Sequence, residues 1–294
     1  MRWQNPFWFL QPPIRKLAFG NDGNYGRSNI LSGCSGRFLI ALAITVFALI
    51  RYFSTTTELN SFTGRKQHLN LDPQHEIAMG LASAPQMIAQ HGGESPDAQA
   101  RDYVRRIGLK IVRATDAART PYRFDFHLLA DREVVNAFAL PGGQVFMTEA
   151  LFRMLRSEDE IAGVLGHEIG HVVGRHSSEQ IAKSNLFEGI TSAVVIATSD
   201  GRGGGYDTAR AAQMINQLVT LKYGRSDETE ADKLGVRFLI QTGYQPEAMI
   251  GVMEVLKKVA GGARQPEFMS THPDPGNRIE NIKAEIARIR AGGK

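Results

Sequence analysis

The stretch His167-Glu168-Ile169-Gly170-His171 sets two imidazoles four residues apart. On a helix both fall on one face, close enough for a single zinc ion to bridge them. Glu168 points to the side of that face, where it can take a proton from a water polarised by the metal, as H-E-x-x-H hydrolases require. The competing reading, a surface helix with two solvated histidines, is opposed by the flanking residues. Ser157 and Glu160 form an S-x-x-E helix start, and Ile161, Val164, Leu165, Ile169, Val172 and Val173 supply a broad apolar flank. Gly163, Gly166, Gly170 and Gly174 lower helix propensity, so four of them here predict close approach by another element or a ligand.

Two histidines leave zinc short of the three protein ligands of a hydrolytic site, so a carboxylate is wanted from a second helix. Residues 226–232 offer one. Glu228 and Asp232 lie at i and i+4 on one face, so Glu228 can ligate while Asp232 accepts the free ring N–H of a ligand histidine. Glu230 lies about 200° round the helix from Glu228 and is expected to face elsewhere. Alone, this cluster reads as an acidic first turn favoured by the helix dipole. The upstream histidines make it a ligand candidate. The single cysteine, Cys34, excludes a disulfide framework and a Cys-rich zinc site, leaving histidine and carboxylate to hold one Zn2+ per chain.

The elements that must position these groups lie in a chain of 294 residues with 43% hydrophobic content, enough for a sizeable core. The formal charge of +4 sits in residues 1–37, where Arg2, Arg15, Lys16, Arg27 and Arg37 face only Asp22. A basic face for nucleic acid is therefore not expected, despite a pI near 9.2. Residues 1–37 read as a disordered tail. Residues 38–53 read as a transmembrane or signal-anchor helix, about 24 Å long against roughly 30 Å of hydrocarbon, with Arg37 and Arg51 snorkelling. A cleaved signal sequence is the alternative, and lipidation of Cys34 is rejected because the apolar run follows the cysteine. The tail's charge predicts residues 54 onward outside the cytoplasm.

Residues 54–71 read as a linker and 72–294 as the catalytic domain. Helices are expected after Asp72-Pro73, after Ser95-Pro96, over 208–223, after Pro246 and from about Asn277 to Arg290. Period-two alternation over 122–129 predicts a strand, with His127 on its polar face. Residues 136–140 and 144–148 flank Pro141-Gly142-Gly143 as a hairpin, so a small antiparallel sheet precedes the metal helix, with an edge on which a peptide can add as a strand. Residues 186–198 are apolar and end in a glycine-rich loop, readable as buried helix, flap or membrane contact.

The combination of His167-Glu-Ile-Gly-His171, Glu228-Thr-Glu-Ala-Asp232, Thr271-His272-Pro273 and Arg278 resembles the membrane-associated gluzincin metallopeptidases, the family of HtpX, the type-one CAAX prenyl endopeptidase, BepA and the mitochondrial OMA protease. Residues 136–143 also resemble that family's segment before the metal helix. The resemblance runs from about Gln74 to Arg290 and is strongest to the BepA and OMA-like branch, without helical repeats. It implies an α+β, mainly helical zincin domain, with zinc ligands His167, His171 and Glu228, the base Glu168, and substrate contacts at Asn136, Ala137 and Phe138. It also implies action on unfolded or extended protein segments of the envelope, and with the apolar run and the tail's charge the expectation is a single-pass protein of the bacterial inner membrane with a periplasmic catalytic domain. A chaperone-like module with a capped, largely inactive zinc is the second reading, and a scaffold with a structural metal the third. Three roles stay open for His272, set in the Gly/Pro-rich segment 261–276: an inhibitory fourth ligand, an oxyanion stabiliser in which Arg278 shares, or a packing residue.

Overall fold

The computed structural model describes residues 34–54, 57–185, 222–260, 266–273 and 276–293. Most of the basic tail, the apolar stretch 186–198 and all of the 208–223 helix but its last two positions lie outside the described residues.

The apolar run forms α1 (Cys34–Phe53), which begins four residues before the expected start. Phe38, Leu39, Leu42, Phe47, Ile50 and Phe53 along it are exposed. Among the described residues no helix is long and apolar enough to cross a membrane. The segment read as a linker is structured instead. Strands β1 (Thr57–Leu59) and β2 (Lys66–His68) pair antiparallel, and no period shows in the sequence because each strand has only three residues. This hairpin grips the end of the metal helix through side-chain amides: Asn60 Nδ2 donates to the Val173 carbonyl at 2.9 Å and Gln67 Nε2 to that of Gly174 at 2.7 Å.

Helix α2 (Pro73–Gln90) starts where Asp72 caps it, its carboxylate accepting from the His75 N–H. Helix α3 (Ala98–Ala114) is capped by Asp97, two residues beyond the expected Ser95, because the Asp97 carboxylate reaches the Ala100 N–H. Strands β3 (Asp125–Leu129), β4 (Ala137–Ala139) and β5 (Gln144–Thr148) follow. The expected hairpin is present, with Phe138 opposite Phe146. The sheet is mixed, however, and not purely antiparallel: β3 joins β5 in parallel, giving the order β3-β5-β4. Alternation along β3 reports which residues are buried and carries no information on the direction of the partner strand. All five residues of β5 are buried because the sheet is covered on both faces. Val145 and Met147 enter the main core with α3 and the metal helix, whereas Phe146 packs with Phe138, Met87 and Ile181.

After the short α4 (Glu149–Phe152) comes the metal helix α5 (Glu158–Val173). Ser157 Oγ accepts from the Glu160 N–H at 3.1 Å, and the Glu160 carboxylate reaches back to the Arg156 N–H at 2.6 Å. Among the described residues three further named helices of 13 residues or more follow: α6 (Arg225–Thr242), α7 (Ala248–Ala260) and α9 (Arg278–Arg290). Between the last two, the segment expected as a loop contains the short α8 (Glu267–Thr271).

The glycines of α5 mark the approach of α6 and α7. A Cβ on Gly170 would stand 2.9 Å from the Ala231 carbonyl oxygen, and one on Gly166 2.8 Å from the Leu239 side chain. Gly235 of α6 answers from the other side, where a Cβ would lie 3.3 Å from the His167 nitrogen. Gly163 meets Met249 of α7 in the same way. Small residues on both helices let the backbones come close enough for short acidic side chains of α6 to reach the imidazoles of α5.

Candidate metal centre

The crossing of α5 and α6 buries His167, His171, Glu228 and, from the end of α8, His272. One ligand atom from each lies within 4.8 Å of all the others. His167 Nε2 is 3.0 Å from His171 Nε2 and 3.3 Å from His272 Nδ1, and Glu228 Oε1 is 3.0 Å from His272 Nδ1 and 3.4 Å from His171 Nε2. Three imidazoles and a carboxylate converging on one point suit Zn2+ by ligand type and number.

Around this group stand the other residues singled out in the sequence. Asp232 Oδ1 accepts from His167 Nδ1 at 2.9 Å, which leaves Nε2 of that ring for a metal. Glu168 is fully buried, and neither of its carboxylate oxygens has a hydrogen-bond partner among the described residues. Its nearest basic atom is His272 Nε2, 3.6 Å away. Glu230 faces away from the cluster, as the helical angle requires, with its carboxylate on His176.

Arg278 is held by carboxylates. Its guanidinium is 2.9 Å from Glu228 Oε2 and makes paired bonds of 2.9 and 2.7 Å to Asp232, so it is clamped between the two acids of α6. Two acids four residues apart on one helix repel each other, and the arginine at the start of α9 holds both in place. Asn136, Ala137 and Phe138 are buried, and the Asn136 amide donates to Glu267 at 3.3 Å. Asn136 bonds to Thr148 and Leu140 to Gln144, so Phe138 pairs with Phe146 while the peptide groups of Ala137 and Ala139 turn away from β5, toward the side on which β4 has no partner strand among the described residues; both residues are buried.

Four residues around the site are not predicted by the sequence patterns. His176 lies five positions after His171, just past the end of the helix, and its ring turns back to His171. Arg175, at φ 56°, makes that return, and its side chain is bonded to Glu58, Glu76 and the Leu71 carbonyl. A third histidine so near the motif is the signal that could have found it. Tyr223 stacks on His171 with ring centroids 3.9 Å apart, and Arg65 reaches in from the hairpin; no local pattern marks either.

Charge explains what this pocket is built for. Glu168, Glu228 and Asp232 set against Arg278 leave two negative charges in a cluster without water access, a large penalty unless cations offset them. A divalent ion fits that imbalance. Without it, protons are drawn in. Burial opposes a charged His167, but its bonds with Asp232 and Glu228 outweigh this and raise its pKa to about 9. Burial likewise pushes the Glu168 carboxyl up. Burial also disfavours the charged forms of Glu228 and Asp232, yet His272 beside the first and Arg278 beside the second hold them below the usual carboxylate range. His171, dominated by burial, titrates well below an ordinary histidine and is ready as a neutral ligand.

A helix bearing H-E-x-x-H, crossed by a second helix that presents a glutamate and an aspartate, has the arrangement of a gluzincin-type metallopeptidase. The sequence model of Peptidase family M48 matches residues 98–286, and the chain belongs to that family. Its relatives include the beta-barrel assembly-enhancing protease of Escherichia coli K12, 26% identical over 84% of this chain and 51% of the relative. The mitochondrial metalloendopeptidase OMA1 of Saccharomyces cerevisiae is 31% identical over 89% of this chain and 79% of the relative. That of Schizosaccharomyces pombe is 28% identical over 79% and 67%. The chain spans about half the length of the bacterial relative.

The His167 proton makes metal uptake depend on pH. Because its pKa is raised from 6.5 to about 9, protonation stabilises the metal-free fold fully below pH 6.5, and this contribution is lost as pH rises through about 9. Zinc needs the neutral ring and must displace that proton. Apparent zinc affinity is expected to rise about tenfold per pH unit across this window, and the melting-temperature gain on adding zinc to grow with it. Chelator competition at several pH values checks this, and an affinity that stays flat would overturn the His167–Asp232 account.

Proposed function

We propose that this chain is a membrane-tethered, zinc-dependent endopeptidase that cleaves unfolded or misassembled proteins of the bacterial envelope. The observation that carries the reading is Glu168: a fully buried carboxylate with no hydrogen-bond partner among the described residues, beside a convergent set of histidine and carboxylate donors. Burying such a group costs stability unless its task requires it. A structural metal site has no use for it.

In this reading His167, His171 and Glu228 hold the zinc, which when bound polarises the scissile carbonyl and lowers the pKa of the attacking water. Glu168 accepts the water's proton and passes it to the leaving amine, with a raised pKa suited to both transfers. Asp232 fixes the His167 ring, and Arg278 keeps Asp232 and Glu228 apart. An extended substrate adds to the open edge of β4 beside Asn136, Ala137 and Phe138, its main chain paired with the peptide groups of Ala137 and Ala139. The relatives, a beta-barrel assembly-enhancing protease and a mitochondrial metalloendopeptidase by name, favour protein substrates for this chain too.

Replacing Glu168 by Gln keeps the shape and removes the base. The variant is expected to retain zinc while peptide turnover falls by about 10² to 10⁴. Elemental analysis with a casein-digestion assay checks both, and near-normal turnover would sink the mechanism.

One observation favours the second reading, a client-binding protein whose zinc is capped. His272 stacks on Phe268 and aims Nδ1 into the ligand group, so it can fill the position that substrate and water need. The same histidine would store the peptidase in an inactive state. On this account His272→Ala raises basal turnover with zinc retained. A fall of about 10² to 10³ in kcat at full zinc occupancy would instead assign it to the oxyanion.

The tether rests on the exposed apolar side chains of α1, with Phe47 at 65% and Ile50 at 58% exposure, and on the basic tail before it, which favours residues 54 onward outside the cytoplasm. The full chain is expected to stay with bacterial membranes through alkaline carbonate extraction, and Phe47→Asp with Ile50→Asp to release it. Complete extraction of the unmodified chain would refute the tether.

A further inference from the structure

We infer that His176 and Glu230 form a hydrogen-bonded relay that fixes the tautomer and ring orientation of His171, making them positioning residues of the zinc site; this rests on the zinc reading above. His176 is fully buried, and its Nδ1 lies 2.9 Å from Nδ1 of His171. Two facing ring nitrogens share one hydrogen, so one donates and the other accepts. His171 turns Nε2 toward the ligand group, so its own hydrogen sits on Nδ1 and is donated to His176. His176 must then carry its hydrogen on Nε2, which donates to Glu230 Oε2 at 2.7 Å. Each tautomer fixes the next, and the carboxylate at the end makes the His171 ring a better donor to a metal.

The two metal histidines are thus held differently. His167 has Asp232 directly on its ring. His171 has its carboxylate one imidazole further away, because the nearer acids of α6 are taken by the ligand position and by His167. The relay is itself anchored. Glu230 is 3.5 Å from Nε of Arg65 in the β1–β2 hairpin, and Arg65 also pairs with Asp227 at 2.7 Å and with Glu179. Asn60 and Gln67 of the same hairpin hold the carbonyls of residues 173 and 174, between His171 and His176. Gly174 is required at that bend, since a Cβ there would lie 2.5 Å from the His176 ring. The segment directly after α1 therefore sets the geometry of one zinc ligand.

The experiment is zinc affinity of the full chain by competition with a chelator, alongside melting of the metal-free protein. His176→Leu removes the acceptor for His171 and is expected to weaken zinc by about 10- to 100-fold. His176→Asn keeps an oxygen near the position of Nδ1 and is expected to recover most of that loss. Glu230→Ala leaves His176 in place, so it is expected to weaken zinc by about tenfold while melting of the metal-free chain changes little. If His176→Leu fails to fold, Glu230→Ala decides. Wild-type zinc affinity in Glu230→Ala, or variants that lower metal-free melting without changing zinc affinity, would overturn the relay. Wild-type chain that binds no zinc would instead overturn the zinc reading on which the relay rests.

Discussion

The structure depends on how closely two helix backbones can pass. Glutamate and aspartate side chains are short, so Glu228 and Asp232 meet the imidazoles of His167 and His171 only if α6 runs almost in contact with α5. Gly166 and Gly170 on one helix and Ala231 and Gly235 on the other provide that contact. Larger residues would separate the helices and leave charges buried without partners, which costs far more than the helix propensity surrendered by glycine. The order of the other elements serves the crossing. Helix α9 delivers Arg278 to its acidic side, α8 delivers His272 across its mouth, and the hairpin secures the far end of α5.

Much of this site is legible in the sequence because helix geometry is local. A spacing of four residues fixes two side chains on one face whatever the rest of the chain does, so spacing alone pairs His167 with His171 and Glu228 with Asp232, and turns Glu230 away. The Ser157 helix start and the 136–148 hairpin are readable for the same reason. What the sequence does not show is non-local. The parallel partner of β3 lies nearly twenty residues on, beyond the hairpin strand. Arg278 stands out as a candidate, but its clamp on two carboxylates depends on where α9 begins relative to α6. Arg65 sits in what reads as a linker, because a three-residue strand is too short to show a period. His176 falls between the two cases: it is near in sequence, but its return toward His171 depends on Arg175 holding a backbone conformation that L residues rarely take.

That conformation links stability to the site. Arg175 at φ 56° carries a backbone cost of order 1–3 kcal/mol, offset by bonds from its guanidinium to Glu76 in α2, Glu58 in β1 and the Leu71 carbonyl. These partners come from three separate segments ahead of the metal helix. The turn that brings His176 onto His171 is therefore stabilised by contacts with the N-terminal part of the domain.

Charge balance sets the limits within which the site can act. Three buried acids and one arginine need two further positive charges, and the metal-free pocket moves toward them by holding a proton on His167 and favouring one on Glu168. A divalent ion supplies both charges at once, so it would displace the proton at His167 and favour the charged form of Glu168, which burial disfavours. In the proposed reaction the same ion would gather the ligands and leave Glu168 charged, the state a base needs. A monovalent ion would leave one charge uncompensated, and an uncharged packing of the pocket would strand Arg278. The number of buried acids thus bears on the reaction as well as on binding, since removing Glu168 would leave a metal site whose charges balance less well and which has no group to move a proton.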